Sequence, residues 1–126
     1  MKEAMTDKRY HFTEADWGTI KQEIRAILIT MAKMRLTICY SDLAAQIQTA
    51  YVHHRAPAFH AMLRELDELD EQPDQPSLAV LVVRKQTGRC GAGFFKSSAL
   101  SGEDVSDPEA YWQAQFARVC DYWSDN

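Results

Sequence analysis

The sequence predicts an α+β fold: a winged helix-turn-helix with a long N-terminal helix, a two-to-three-stranded wing and an aromatic C-terminal helix. Three patterns predict it: helical spacing of apolar residues over 17–31, a β-branched run at 37–40 that leads into a second helix, and a β-rich run at 78–83 followed by a turn. We expect residues 1–12 to form a flexible N-terminal arm and residues 13–126 to form a single winged-helix domain, because a chain of this length can bury one core.

The long first helix is predicted to begin after Thr13, whose hydroxyl can accept a hydrogen bond from a free backbone N–H of the first turn. Apolar residues then recur at intervals of three and four: Trp17, Ile20, Ile24, Ile27, Leu28 and Met31. Because this spacing places them along one face of a helix, we expect that face to lie in the core.

Two shorter helices are predicted to follow. Ser41 is a suitable cap for a second helix over residues 42–48, and Pro57 suits the first turn of a third helix that ends near Glu71. Residues 49–56 between them break the helical pattern. This connection is longer than the turn of about 3–4 residues in a compact helix-turn-helix.

The wing is predicted as a β-hairpin. Residues 78–83 form its first strand, residues 86–89 its turn, and residues 90–95 a returning strand in which two glycines indicate a bulge or a close backbone contact. A polar loop then leads to the last helix.

The last helix is predicted to start at Asp107 and Pro108, which are good N-cap and first-turn residues. Its apolar face consists of Trp112, Phe116, Val119, Cys120 and Trp123. This face contains more aromatic side chains than closing a small core requires. We therefore expect it either to pack across the first helix or to meet a partner.

Charge is distributed unevenly along the chain. The net charge is −4, yet residues 75–102 contain four basic residues and no acidic one. A uniformly acidic protein would be repelled by phosphate, whereas this segment would attract it.

The sequence also indicates a compartment. The N-terminal residues contain no apolar leader, and the longest aliphatic run is too short to cross a bilayer, so we expect a cytoplasmic protein. Because the three cysteines are far apart in the sequence, we expect their thiols to be reduced.

Three segments carry a resemblance to a known family. Residues 38–44 (Ile-Cys-Tyr-Ser-Asp-Leu-Ala), the helix at 58–63 and the expected hairpin at 82–88 resemble the DNA-binding domain of O6-alkylguanine-DNA alkyltransferases and alkyltransferase-like proteins. The resemblance covers roughly half the chain and implies a winged-helix fold that binds DNA.

The chemistry of that family is not expected here. Its reactive cysteine lies in a Pro-Cys-His-Arg motif before the hairpin, whereas the matching position of this chain reads Pro76-Ser77-Leu78. The arginine that the family inserts into the duplex falls at or near His60. Alkyl transfer is therefore not predicted, and neither is an enzyme, since no complete catalytic constellation is found.

Our first functional hypothesis is non-catalytic binding of duplex DNA. A winged helix presents the start of its third helix to the major groove and its wing to the flanking backbone, so cations are needed at those two places. The candidate DNA-binding residues are Arg55, His60, Arg84, Lys85, Arg89 and Lys96. An acidic run at the far end of the third helix, residues 65–71, opposes this hypothesis.

The alternative is a winged-helix interaction module or homodimer. It would use the aromatic last helix, with Tyr111, Trp112 and Trp123 partly exposed, or the acidic face of the third helix.

Neither a metal site nor a reactive cysteine is predicted. His53, His54 and His60 lack a carboxylate or thiol at ligand spacing, so no metal is predicted, and Cys90, the one thiol expected to be exposed, lacks an identifiable base.

Overall fold

Five α-helices, one 3-10 helix and a two-stranded parallel sheet make up the described part of this protein. The computed structural model describes residues 10–66, 75–88, 92–100 and 102–125. In chain order the elements are α1 (Glu14–Lys33), β1 (Ile38–Cys39), α2 (Tyr40–Ala45), α3 (Pro57–Glu65), the 3-10 helix (Leu78–Leu81), β2 (Val82–Val83), α4 (Ala92–Leu100) and α5 (Pro108–Ser124). The fold therefore mixes helices with a small sheet. No helix within these ranges is both long and apolar enough to cross a bilayer.

The first helix confirms the sequence prediction. The backbone N–H of Asp16 donates to the hydroxyl of Thr13 over 3.0 Å, so Thr13 caps α1 as expected. Trp17, Ile20 and Ile24 are buried, as is Leu28 one turn further on. This face packs against α5 and the 3-10 helix, so α1 is central to the core. Tyr10, in the described end of the expected arm, stacks on Trp17 with ring centroids 5.9 Å apart.

The two strands pair in parallel, with Ile38 opposite Val82 and Cys39 opposite Val83. Parallel neighbours need a long crossover connection, and here α2 and α3 lie within it. Because parallel strands run in the same direction, their carboxyl ends meet at one edge of the sheet. Tyr40 follows β1 and Arg84 follows β2, so these two residues come together at that edge.

The predicted hairpin is wrong. Residues 92–100 form helix α4, where a returning strand to residue 95 and then a polar loop were expected, and β2 pairs with β1 instead. Within the expected first strand, residues 78–81 form a 3-10 helix that Ser77 caps, since its Oγ accepts from the N–H of Ala79 over 3.2 Å. The remaining strand is two residues long. A Gly-Ala-Gly-Phe-Phe segment lacks β-branched residues and has no exclusive strand preference, so tertiary context decides its conformation.

The boundaries of the next two helices differ from expectation in detail. Helix α2 begins at Tyr40, one residue before the predicted cap Ser41, and Cys39 occupies the N-cap position without a side-chain hydrogen bond. Helix α3 begins at Pro57 as predicted. Its expected end near Glu71 lies outside the described residues. Within them, Glu65 accepts from Trp17 Nε1 and Lys21 Nζ, each over 3.0 Å, and so ties α3 to α1.

The last helix confirms its predicted start, because Asp107 Oδ1 accepts from the N–H of Ala110 over 3.2 Å. Trp112 is only 8% exposed, and its Nε1 donates to the carbonyl of Val80 over 3.0 Å. The aromatic face of α5 thus packs across α1 and the 3-10 helix, one of the two outcomes expected from the sequence.

Glu23 of α1 holds the connection that leads from α2 to α3. Its carboxylate accepts from the N–H groups of Gln48 and Thr49, over 2.7 and 3.2 Å, and from the hydroxyl of Thr49. Burial alone would raise the pKa of Glu23, but these hydrogen bonds outweigh it and lower the pKa below its ordinary value.

Replacing Glu23 is expected to make the free energy of unfolding depend less on pH in the acidic range. A Glu whose pKa is lowered on folding stabilises the protein above its unfolded pKa of 4.5, and this contribution is lost as the pH falls through the folded value. Glu23→Gln should therefore lower the free energy of unfolding at neutral pH by about 1 kcal/mol. The difference from the native protein should shrink as the pH falls below 4.5.

Urea unfolding across a pH series measures this effect. Glu103→Gln is the matched control, since Glu103 is an exposed carboxylate outside the helices. A Glu23→Gln difference that stays constant from neutral to acidic pH would show that the carboxylate charge is not what holds the connection.

Candidate nucleic-acid interface

The edge of the sheet where β1 and β2 end is the centre of the candidate site. Tyr40 and Arg84 meet there, and the ring of Tyr40 lies 5.6 Å, centroid to centroid, from the ring of His60 in the first turn of α3. Arg84 and His60 are both exposed. The parallel pairing therefore places Arg84 next to Tyr40, whose ring contacts His60 of α3.

The connection before α3 adds further cationic and aromatic groups. The rings of His53 and His54 are stacked, with centroids 4.5 Å apart and planes at 20°. The N–H of Arg55 donates to Nδ1 of His53 over 3.0 Å. In the neutral imidazole the proton therefore resides on Nε2, which leaves an N–H free to donate to a ligand.

Electrostatics show that these groups share one neighbourhood. The pKa of His54 is lowered first by partial burial and then by the nearby His53, Arg55 and His60. An anion bound among them would relieve this repulsion. We call this surface the basic face. It comprises Tyr40, Tyr51, His53, His54, Arg55 and His60, together with Arg84, which the strand pairing places next to Tyr40, and Lys85, the exposed residue that follows it.

The N-terminus of α3 strengthens the positive potential of the basic face. Ala56 occupies the N-cap position and makes no side-chain hydrogen bond, and the first turn contains no acidic residue. The start of a helix carries a partial positive charge from its unpaired N–H groups. Pro57 has no N–H, and the N–H groups of Phe59 and His60 donate to the carbonyl of Ala56, so the donors for a phosphate at this end of α3 are the Arg55 guanidinium and the His60 imidazole.

Three acidic residues of the described part lie near the basic face, and one of them, Glu23, accepts hydrogen bonds from Gln48 and Thr49 just before Tyr51. Glu65 lies at the far end of α3, where its carboxylate is 3.0 Å from the Lys21 ammonium, and its side chain is 17% exposed. Asp42 is exposed in the first turn of α2. The remaining acids of the run at 67–71 lie outside the described residues.

Arg55, His60, Arg84 and Lys85 all belong to the basic face. Lys96 is exposed on α4, where the polar loop after the returning strand was expected. Arg89 lies outside the described residues.

The alternative surface on α5 is largely packed. Trp112 is in the core, Tyr111 is half-buried, and Trp123 is half-buried with the guanidinium of Arg25 5.4 Å from its ring centroid. Of the three aromatic residues considered for partner binding, Trp112 is thus used to hold α5 to the 3-10 helix.

No group of three or more metal-binding side chains converges within the described ranges. Cys120 is buried, and burial raises the pKa of its thiol. Cys39 is half-buried, with its Sγ 3.4 Å from the hydroxyl of Ser41. Cys90 lies outside the described residues.

Sequence reasoning missed Tyr40 and Tyr51 as members of the site. The sequence does contain a signal for this surface, because residues 43–64, which include Tyr51, contain no Asp or Glu. The acids on either side of this segment gave the larger region around it a negative charge and concealed it. A finer charge profile would have revealed three long acid-free segments, 24–41, 43–64 and 75–102, of which the last two supply the candidate residues.

Comparisons with protein-family models, with curated proteins and with solved structures find no match to this chain. We therefore base its function on the residues of the basic face.

Proposed function

We propose that this protein binds duplex DNA through the basic face, without a chemical step. The observation that carries this proposal is the position of Tyr40: the strand pairing places Arg84, from the acid-free segment 75–102, next to it, and its ring contacts His60, from the acid-free segment 43–64. A chain of net charge −4 thereby gathers cations on one surface. Such a surface attracts the phosphate backbone even when the protein as a whole is acidic.

The arrangement also suits the shape of a duplex. Helix α3 starts at the basic face, and its first turn carries His60 next to Arg55. We infer that this end of α3 enters the major groove while Arg84 and Lys85 contact the flanking phosphates. The order α1, β1, α2, α3, β2 supports a winged-helix relationship, with α4 in place of the returning strand.

The proposal predicts salt-dependent binding of mixed-sequence duplex DNA. Each phosphate neutralised by a cation releases counterions and contributes about −0.9 to the slope of log K against log salt. Arg55, Arg84 and Lys85 therefore predict a slope of about −3, with micromolar affinity at low salt. Fluorescence anisotropy of a labelled duplex, titrated across about 50 to 200 mM salt, measures both quantities.

The experiment includes a check that the protein is folded. Circular dichroism of the same sample establishes that the helices are intact. If a folded protein shows no binding at the lowest salt, the DNA-binding proposal is wrong.

A further inference from the structure

Tyr51 is a part of the basic face that contact with phosphates does not require. Its side chain is 82% exposed, which is unusual for an aromatic residue of this size. Its described ring contact is with His53, at a centroid distance of 6.5 Å and an interplanar angle of 69°. The phenol ring is thus largely open to solvent.

This exposure does not come from a loose loop. On one side of Tyr51, the backbone N–H and hydroxyl of Thr49 donate to Glu23. On the other side, Val52 is 4% exposed and belongs to the core, and the carbonyl of His53 accepts from the N–H of Ala56 over 3.0 Å. The chain is therefore anchored on both sides of Tyr51, and an aromatic residue held outward by fixed backbone is typical of a binding site.

The neighbours of Tyr51 indicate what it would bind. His53 and His54 form a stacked pair, and Arg55 adds a guanidinium directly after them. Aromatic rings next to cations are the combination with which proteins hold single-stranded nucleic acid, because the ring stacks on a base while the cations contact phosphates. In a continuous duplex each base face is covered by its neighbour, so Tyr51 would find no face to stack on.

We propose that Tyr51 stacks on an unpaired base, so that the basic face binds DNA in which a single-stranded segment adjoins a duplex. This inference rests on the proposed function, since Arg55, Arg84 and Lys85 hold the phosphates of the duplex arm. Tyr51 then contacts the first unpaired base beside that arm. Stacking by Tyr51 gives the basic face a preference for DNA with an unpaired base beside a duplex, which binding by charge alone would not provide.

Three kinds of labelled probe with equal numbers of phosphates test the proposal: a blunt duplex, a duplex with a thymidine overhang, made in both polarities, and a free thymidine strand. The native protein is compared with Tyr51→Phe, which keeps the aromatic ring, and Tyr51→Leu, which keeps the apolar size without it. The native protein and Tyr51→Phe should bind an overhang about 10-fold more tightly than the blunt duplex. Tyr51→Leu should bind the overhang and blunt probes alike.

Each other outcome has a defined meaning. If the native protein binds blunt and overhang probes alike, or if Tyr51→Leu keeps the preference, the stacking role is overturned, while salt-dependent blunt-duplex binding still supports the proposed function. If the free strand binds as tightly as the overhang probe, the duplex arm is not part of the site and the junction is overturned. If none of the three probes binds, both proposals fail. Because Tyr51 is exposed, none of these substitutions should change the unfolding midpoint.

Discussion

Reversing two charges of the basic face, in an Arg55→Glu, Arg84→Glu variant, is expected to weaken duplex DNA binding about 100-fold at low salt. At about 4 Å in water, reversal changes the interaction of one cation with one phosphate by about 2 kcal/mol, and screening reduces the sum of the two. The salt slope should also become shallower by about 2, because two phosphate contacts are removed. Anisotropy titrations of native and variant protein against the same duplex measure both effects.

A matched variant separates local contact from overall charge. Lys33→Glu, Arg118→Glu changes the net charge by the same amount at exposed residues of α1 and α5. We expect it to lower affinity only a few-fold, through the general field of the protein. Equal losses in the two variants would show that DNA is attracted by charge without using the basic face.

The second large effect concerns the stability of the fold. Trp112→Ala is expected to lower the free energy of unfolding by about 3–5 kcal/mol, because it removes a large buried ring and leaves a cavity between α5 and the 3-10 helix. That is a large share of the roughly 5–15 kcal/mol by which domains are usually stable. Urea unfolding followed by circular dichroism measures the loss.

Trp112→Phe divides this loss into packing and hydrogen bonding. Phenylalanine keeps most of the ring, including a stacking partner for Phe116, whose ring centroid lies 5.1 Å from that of Trp112. It removes the N–H that bonds to the carbonyl of Val80, so we expect a loss of about 1–2 kcal/mol. If Trp112→Ala unfolds like the native protein but changes its oligomeric state, Trp112 serves an interface and not the core.

The helices were largely predictable because their signals are local. Thr13 and Asp107 cap α1 and α5 through hydrogen bonds within three residues of themselves, and Pro57 starts α3 with its fixed backbone angle. The apolar spacing after Thr13 identified the buried face of α1. None of these features depends on distant parts of the chain.

The sheet was not predictable in the same way. A β-rich run at 78–83 predicts a strand, yet most of it is a 3-10 helix and only Val82–Val83 pairs. Its partner, Ile38–Cys39, lies far earlier in the sequence, with two helices between them. A pair of two-residue strands has little intrinsic stability, so packing against the helices decides which strands meet and in which direction.

The same distinction between local and tertiary determinants applies to the candidate site. The amino-acid sequence by itself determined α1, the starts of α3 and α5, the buried face of α1 and the two acid-free segments that supply the cations. Tertiary structure alone decided how these segments are related, because the parallel pairing of β1 with β2 brings Arg84 next to Tyr40, and the ring of Tyr40 contacts His60. Local preferences report the conformation of neighbouring residues, whereas this pairing depends on how the whole crossover packs against the core.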